Sequence, residues 1–356
     1  MNQEISRRKF VLLTGAGATA LGLGSPLLSK TALSAGAPDA QMKAVLDELA
    51  AFEAPPIEKQ SPFNARNNPT LASAVMGLLA KQGKPAVEMV QDVSHQLIPR
   101  PEGDILARIY RPKGNGPFPV LVYFHGGGWV IANLDTYDAS CRALTNAANC
   151  IVVSVAYRQA PEYKFPAAVE DAYAATQWVL SNTATIKGDP KRVAVGGESA
   201  GGNLAAVTCL MARDRKGRMP LHQMLIYPVT NYAFDTPSYR ENANAKPLNQ
   251  AMMQWFWGYY LRNEADGQNP YASPLRANLR GLPSATVITA EIDPLRREGQ
   301  AYAQRLREAG CSVRATNYLG VTHEFFGAGA VIDKAKQAVN EAAAELRAKF
   351  AGRTVQ

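Results

Sequence analysis

Residues 192–203 read Arg-Val-Ala-Val-Gly-Gly-Glu-Ser-Ala-Gly-Gly-Asn, and this stretch decides the fold. Its apolar start ends in two glycines, and its last residues begin an apolar pattern of helical spacing. A strand that turns directly into a helix needs small residues on both sides of the turn, and Gly197 and Gly201 flank Ser199 in that way. The stretch therefore predicts that the Ser199 hydroxyl stands at a strand end, beside the amide of Ala200 at a helix N-terminus. Taken alone, the same pattern also suits a plain Gly-rich turn.

Strand and helix patterns alternate along most of the chain. Short, almost wholly apolar runs predict strands, and apolar residues at helical spacing predict the helices between them. This alternation is typical of an α/β protein with a mostly parallel central sheet and helices on both faces, which binds its ligands at the carboxyl ends of the strands. The predicted strands cover residues 87–98, 104–110 (a hairpin with the first), 118–124, 150–155, 193–195, 223–227, 285–289 and 312–318, and the predicted helices include 40–52, 71–79, 135–148, 167–182 and 333–350.

The first 37 residues resemble an export signal. Residues 6–12 read Ser-Arg-Arg-Lys-Phe-Val-Leu, which is similar to the twin-arginine motif, and residues 11–28 carry no charge. Residues 35–37 form a small-x-small cleavage pattern. We interpret residues 1–37 as a twin-arginine signal peptide, which implies the twin-arginine translocase as a partner during export and a periplasmic or secreted location. The alternative is an N-terminal membrane anchor, which the glycines and the proline of this run weaken.

The charges of the chain do not indicate a nucleic-acid partner. The net charge is +8, and the leader holds four basic residues against one acidic residue, so the remainder keeps +5. The densest basic group, residues 213–218, falls where a helix is expected to end, which is the usual place for Lys and Arg. We therefore expect a solvated face there and no binding of nucleic acid.

The four cysteines and four histidines do not form a metal-binding pattern. No Cys-x-x-Cys spacing occurs, so no metal site is expected. Cys209 lies in the apolar stripe of the helix after Ser199, which favours buried free thiols. One disulfide stays open as an alternative if the chain folds in an oxidising compartment.

A second glycine-rich stretch follows another predicted strand. The strand at 118–124 runs into His-Gly-Gly-Gly-Trp at 125–129. Three glycines allow the backbone to approach a ligand closely and to aim its amides into a pocket. This pattern is the usual second source of oxyanion donors beside a nucleophilic serine at a strand-to-helix turn. The alternative is a plain Gly-rich turn.

Two further strand ends carry a carboxylate and an imidazole. Asp293 follows the strand at 285–289, and His323 follows the strand at 312–318. An Asp-Pro pair alone often only starts a helix, and a lone loop histidine is more often a surface residue. However, Ser199, Asp293 and His323 occur in the chain order expected of a hydrolase triad, each at a strand end. The order and the placement together predict nucleophilic catalysis by Ser199.

Several stretches match one known family. They are His-Gly-Gly-Gly-Trp at 125–129, Ala-Tyr-Arg-Gln-Ala-Pro-Glu at 156–162, Gly-Glu-Ser-Ala-Gly-Gly-Asn at 197–203, Tyr-Pro at 227–228, Asp-Pro-Leu at 293–295 and Tyr-Leu-Gly-Val-Thr-His at 318–323. With them the chain resembles the hormone-sensitive-lipase-like (family IV) esterases of the α/β-hydrolase superfamily from about residue 40 onward. The resemblance implies hydrolysis of carboxylic esters without a cofactor. It also implies a triad of Ser199, Asp293 and His323 and an oxyanion hole formed by the amides of Gly126, Gly127 and Ala200.

The family also implies a helical cap over a catalytic domain. The cap would combine an N-terminal helical segment, residues 38–88, with an insertion at about 231–272 in a catalytic domain of residues 89–356. Two residues depart from the family pattern, which more often has Asp or Thr at Glu198 and often Asp at Arg297. The Gly-Glu-Ser-Ala-Gly string is also similar to type-B carboxylesterases, but those are much longer and use Glu as the triad acid.

The substrate is predicted only as a class. The resemblance suggests a small-molecule ester with a short to medium acyl or an aryl group. Aromatic residues crowd the predicted insertion, and we expect Trp255 and Phe256, together with Trp129, to bind the substrate. The alternative is that these side chains only pack the cap onto the body.

Two other functions are compatible with the same residues. An amidase or peptidase uses the same triad, and a non-catalytic small-molecule binding protein uses the same scaffold, although such proteins typically lack a triad member. The assembly is expected to be a monomer or a homodimer.

Overall fold

The computed structural model describes residues 36–352, and residues 1–35 of the predicted signal peptide lie outside the described residues. These residues form one sheet of eight strands in the order β1-β2-β4-β3-β5-β6-β7-β8. The first two strands form the predicted hairpin, β2 pairs antiparallel with β4, and all other pairs are parallel. The strands are β1 Asp92–Ile98, β2 Ile105–Arg111, β3 Phe118–Phe124, β4 Ile151–Val155, β5 Gly188–Glu198, β6 His222–Ile226, β7 Ser284–Ile292 and β8 Val313–Thr322.

Helices cover both faces of the sheet, as the alternation predicted. One apolar core packs α5, α6 and α9 against the sheet, and a second core on the other face packs α4 and α10. The helices are α1 Ala40–Ala50, α2 Pro62–Ala65, α3 Leu71–Lys81, α4 Asp138–Ala148, α5 Ala167–Asn182, α6 Ala200–Asp214, α7 Pro237–Glu241, α8 Gln250–Tyr260, α9 Arg296–Glu308 and α10 Asp333–Phe350.

The main differences from the predicted elements lie at strand ends. Strand β5 begins at Gly188 rather than 193, because its first half carries exposed polar residues that hide it from a search for apolar runs. Strand β1 begins at Asp92 rather than 87, and it is mostly solvent-exposed. The buried strands and the long helices, whose patterns are strongest, lie within a few residues of their predicted bounds.

Two segments from different parts of the chain meet above the carboxyl ends of the strands. The first contains α1, α2 and α3, and the second is the connection between β6 and β7 that contains α7 and α8. The Trp255 indole N–H on α8 donates to the Gln60 carbonyl at 3.1 Å. Asn249 Nδ2 lies 3.5 Å from a Glu58 carboxylate oxygen. These contacts close a roof over the sheet edge at which Ser199 stands.

The four cysteines are unpaired, and three of them are buried. Burial disfavours the charged thiolate, so the pKa of Cys150 is raised to about 12. Within residues 36–352 no helix is both long and apolar enough to span a bilayer.

Candidate active site

Ser199 occupies a strained turn between β5 and α6. Its φ of 56° and ψ of −119° place a non-glycine residue in a sparsely populated region. The turn is held by backbone hydrogen bonds, in which the Ser199 amide donates to the Ile226 carbonyl at 2.9 Å. A methyl group on Gly201 would overlap the Phe124 carbonyl, which explains why the turn needs glycine there. The predicted strand-turn-helix is therefore present, and Ser199 is 5% exposed.

His323 and Asp293 extend from the neighbouring strand ends toward Ser199. The Ser199 hydroxyl lies 3.0 Å from His323 Nε2, and His323 Nδ1 lies 2.7 Å from an Asp293 carboxylate oxygen. The other Asp293 oxygen accepts the Leu295 amide at 2.8 Å, which fixes the carboxylate. The structure thus brings together the three side chains that the sequence placed at separate strand ends.

The charges around His323 favour its protonated form. Burial alone would lower the pKa of His323, but the Asp293 carboxylate, with smaller contributions from Glu324 and Glu198, raises it above its ordinary value. Because Asp293 accepts the hydrogen of Nδ1, Nε2 of the neutral ring is free to accept the hydrogen of the serine hydroxyl.

Three backbone amides lie in the two stretches beside Ser199, two in the glycine loop and one at the start of α6. Among residues 36–352 the N–H groups of Gly126, Gly127 and Ala200 donate to no protein group. Gly127 has a φ of 95°, which a side chain would oppose. The two sources of amides are adjacent, because Gly201 packs directly on the backbone of Phe124 at the start of the glycine loop. The arrangement suits an oxyanion formed on a group bound to Ser199.

His125 holds this glycine loop in place, which the sequence reasoning did not foresee. Its ring stacks on Tyr157 at 4.4 Å between centroids, and its Nδ1 lies 2.8 Å from the Gly126 carbonyl. The Tyr157 hydroxyl donates to the His125 carbonyl at 2.9 Å. Burial lowers the pKa of His125 to about 4, so the ring is neutral near neutral pH. The one sequence signal that points to this role is the position of His125 directly before the glycines.

A cavity of about 500 Å³ opens at Ser199 and His323. Its floor is formed by these two residues and by the glycine loop. Its walls come from both roof segments, so a ligand there would touch α1, the turns near α2, and α8 together. The apolar lining includes Leu46, Leu49, Ile57, Leu71, Leu248, Met252 and Phe256.

The three aromatic residues predicted to bind substrate have different surroundings. Phe256 lines the cavity, and its ring fills the space that a side chain on Gly128 would need. Trp129 is fully buried outside the cavity, because its ring stacks on Tyr260 at 4.1 Å between centroids. Trp255 also lies outside the cavity lining and instead joins the two roof segments through Gln60. Trp129 and Trp255 thus pack the roof outside the cavity lining, and of the three only Phe256 lines the cavity.

Arg66 joins the roof to the loops below it and was also missed. Its guanidinium donates to the Val130 carbonyl at 2.8 Å and to the Ala160 carbonyl at 2.9 Å. It also makes two hydrogen bonds with the Glu162 carboxylate, at 2.6 and 2.7 Å. No local pattern in the sequence marks an arginine whose acceptors lie 64 or more residues away.

Comparison with known proteins places this geometry in a family context. A family model described as alpha/beta hydrolase fold matches residues 121–327. The carboxylic ester hydrolase LipN of Mycobacterium tuberculosis is 44% identical over 275 residues, which are 75% of this chain and 73% of that protein. An arylesterase of Saccharolobus solfataricus is 40% identical over 230 residues, which are 62% and 72%. A solved Pyrobaculum calidifontis esterase has a TM-score of 0.79 at 39% identity, with 87% of this chain and 98% of that chain covered.

Proposed function

We propose a reaction course from the premise that the chain belongs to the hormone-sensitive-lipase-like esterases of the α/β-hydrolase fold and hydrolyses carboxylic esters. The observation that supports this course most directly is the contact between Ser199 and His323 on the cavity floor. His323 Nε2 takes the hydroxyl proton as the serine oxygen attacks the ester carbonyl carbon, and it then gives the proton to the leaving alcohol. Asp293 keeps the ring oriented and stabilises the imidazolium that forms.

The negative charge of the tetrahedral intermediate falls on the former carbonyl oxygen. The free amides of Gly126, Gly127 and Ala200 are the donors available to it. Because these donors are held by the packed glycine loop and the helix start, they need no reorganisation when the charge forms. Each is expected to lower the barrier by about 3 kcal/mol.

Water completes the cycle by attacking the acyl-enzyme. His323 again acts as the base, now toward the water, and returns the proton to Ser199 as the acid product leaves.

The substrates that we propose are esters with short to medium acyl or aryl groups. A volume of about 500 Å³ is within the usual range for small-molecule sites, and one wall is mainly aliphatic and aromatic. A relative named arylesterase supports the aryl part of this proposal. Phe256 on α8 lines the cavity, and we expect its ring to limit acyl length.

A series of p-nitrophenyl esters from acetate to decanoate tests this substrate class. We expect Phe256→Ala to move the maximum of kcat/KM toward longer acyl chains, because it lengthens the cavity. Trp255→Ala is the matched control, since Trp255 lies outside the cavity, and its profile should peak at the wild-type chain length. Equal profiles for wild type and Phe256→Ala would remove Phe256 from the substrate site.

We further propose that residues 1–37 direct export through the twin-arginine translocase, an inference supported by the sequence alone. Replacement of Arg7 and Arg8 by Lys in the full chain is expected to retain the esterase in the cytoplasm of a bacterial host with this translocase. Activity in the periplasmic fraction, normalised to a marker enzyme, measures the effect. Equal export of both forms would refute the proposal.

A further inference from the structure

A buried carboxylate lies directly behind the nucleophile. Glu198, the residue before Ser199, is 1% exposed. One of its oxygens accepts the hydroxyl of Tyr123 at 2.5 Å, and the other accepts the hydroxyl of Tyr227. Burial and the neighbouring carboxylate hold the pKa of both tyrosines well above the ordinary value, so both phenols remain donors. Burial raises the pKa of Glu198, whereas the hydrogen bonds from Ser140 and from the two phenols act against this rise. With a donor on each oxygen, the pair of phenols favours the ionised carboxylate.

Tyr227 connects this carboxylate to the catalytic imidazole. Its ring centroid lies 4.5 Å from that of His323, at an interplanar angle of 51°. Its backbone has a φ of 34°, and its amide donates to the Ile288 carbonyl at 2.6 Å. The ring is therefore fixed at its backbone end by β7 and at its hydroxyl end by Glu198, and it packs against the imidazole in a tilted arrangement.

We propose that Glu198 is a positioning residue for ester hydrolysis: through the Tyr227 ring it fixes the His323 imidazole, and its charge supports the imidazolium. The inference rests on the proposed role of His323 as the base. It assigns a function to Glu198, one of the two residues at which this chain departs from the family pattern. Glu198 itself does not touch the cavity.

Other charged and titratable groups face the same region. Asp293 contacts Nδ1 of the His323 ring. Glu324, which follows His323 in the chain, also lines the cavity. On the side of α4, a small cavity of about 50 Å³ lies between Glu198 and Glu324, with Tyr137 and Ser140 among its walls. Tyr137 reaches Glu324 at 3.5 Å, and the buried Cys141 thiol is also close to Glu198. Because Glu198→Gln and Glu198→Asp both keep all these groups, a shift of the pH profile that occurs only in Glu198→Gln is attributable to the charge of Glu198.

Two substitutions separate the effect of the Glu198 charge from the effect of its side-chain length. Glu198→Gln removes the charge and turns an acceptor into a donor that faces a phenol, whereas Glu198→Asp keeps the charge but is too short to hold both tyrosines. The measurement is kcat/KM for p-nitrophenyl acetate from pH 5 to 9. Loss of a nearby negative charge destabilises the imidazolium. Glu198→Gln is therefore expected to move the acid limb, the part of the profile in which kcat/KM falls at low pH, about half a pH unit lower. Glu198→Asp should keep the wild-type limb.

The positioning role of the Glu198 side chain is tested by the maximal kcat/KM, the plateau of the same pH profiles. Both Glu198 variants and Tyr227→Phe, which keeps the ring over His323, should lower the plateau kcat/KM about tenfold through misplacement of the base. Tyr123→Phe, which loses only the second phenol, should lower it less. Unfolding temperatures measured in parallel show whether a loss of activity is only a loss of structure. A purely structural effect lowers the unfolding temperature of all four variants and leaves the low-pH midpoint of every profile unchanged.

Two results overturn the inference. One is an acid limb for folded Glu198→Gln that coincides with that of the wild type, and the other is an unchanged plateau in all variants. Ser199→Ala distinguishes these results from failure of the proposed function: if it remains active, the triad assignment fails, whereas if it is inactive and the limb is unmoved, only the role of Glu198 fails.

Discussion

At the scale of single residues, the reaction depends on how the hydroxyl of a buried serine is made nucleophilic. The contact of 3.0 Å between Ser199 and His323 supplies the base, and the contact of 2.7 Å with Asp293 orients it. The residue types and their order in the chain were sufficient to predict these three partners. The Glu198–Tyr123–Tyr227 cluster was not predictable, because its members are 75 and 29 residues apart and only the register of the sheet joins them.

The pH dependence of hydrolysis follows from the environment of His323. The free enzyme needs the neutral ring, and the pKa of His323 is raised above its ordinary value of 6.5 by the carboxylates around it. We therefore expect kcat/KM to fall as the pH decreases, with a midpoint above 6.5. A profile for a small activated ester in constant ionic strength measures this midpoint, and a value below 6.5 would contradict the electrostatic account.

Substitution of the triad acid has a separate expected effect. Asp293→Asn leaves the shape of the site but turns one acceptor into a donor, so His323 loses the partner that selects its tautomer. We expect kcat to fall by about 10³-fold or more. Steady-state kinetics with one ester, together with the unfolding temperature, checks this. A folded variant within tenfold of wild type would show that Asp293 does not orient the base.

At the scale of elements, the site is made by loops that leave the ends of parallel strands. The glycine loop after β3 and the helix start after β5 are adjacent because their strands are neighbours in the sheet. The alternation of elements made this placement predictable. The aromatic residues were harder to assign, because a pattern of Trp and Phe on one helix does not show which side faces a cavity and which faces the body. Trp129 and Trp255, for example, lie outside the cavity lining, whereas Phe256 belongs to it.

The glycine loop gives a testable prediction. A methyl group on Gly126 would meet the Tyr137 hydroxyl and, at 3.1 Å, the Glu198 carbonyl. Gly126→Ala is therefore expected to shift the amides and lower kcat by about 10²-fold, with a smaller change in KM. Gly258→Ala on α8 is the matched control, because its methyl group meets open space and alanine favours the helix. If Gly126→Ala behaves like Gly258→Ala, this loop does not position oxyanion donors.

At the scale of the whole molecule, a second buried carboxyl group joins α9 to the start of the connection that leads into the roof. One oxygen of Glu298 on α9 accepts the amides of Thr230 at 2.6 Å and Asn231 at 3.2 Å, where the connection from β6 toward the roof begins. The pKa of Glu298 is raised to about 8, mainly by burial and to a smaller extent by the Asp293 charge. The hydrogen bonds from the two amides oppose this rise but do not cancel it. The folded protein therefore binds a proton here that the unfolded chain releases near pH 4.5.

This linkage makes the stability of the molecule depend on pH. Since the folded pKa is raised, the stabilisation is complete below about pH 4.5 and is lost as the pH rises through about 8. Glu298→Gln removes this titration and keeps an oxygen for the two amides. We expect its unfolding temperature, relative to that of wild type, to rise by about 3 °C between pH 5 and pH 9. A constant difference across this range would show that Glu298 does not titrate with folding.

The central claim, that Ser199 forms the acyl-enzyme, is tested most directly by mass spectrometry after reaction with a fluorophosphonate. The account predicts one adduct per chain on the Ser199 peptide, formed in step with the loss of esterase activity. It also predicts no adduct on Ser199→Ala, whose ester turnover should be lower by at least ~10³. An adduct on another residue, or near-native turnover by folded Ser199→Ala, would contradict the account.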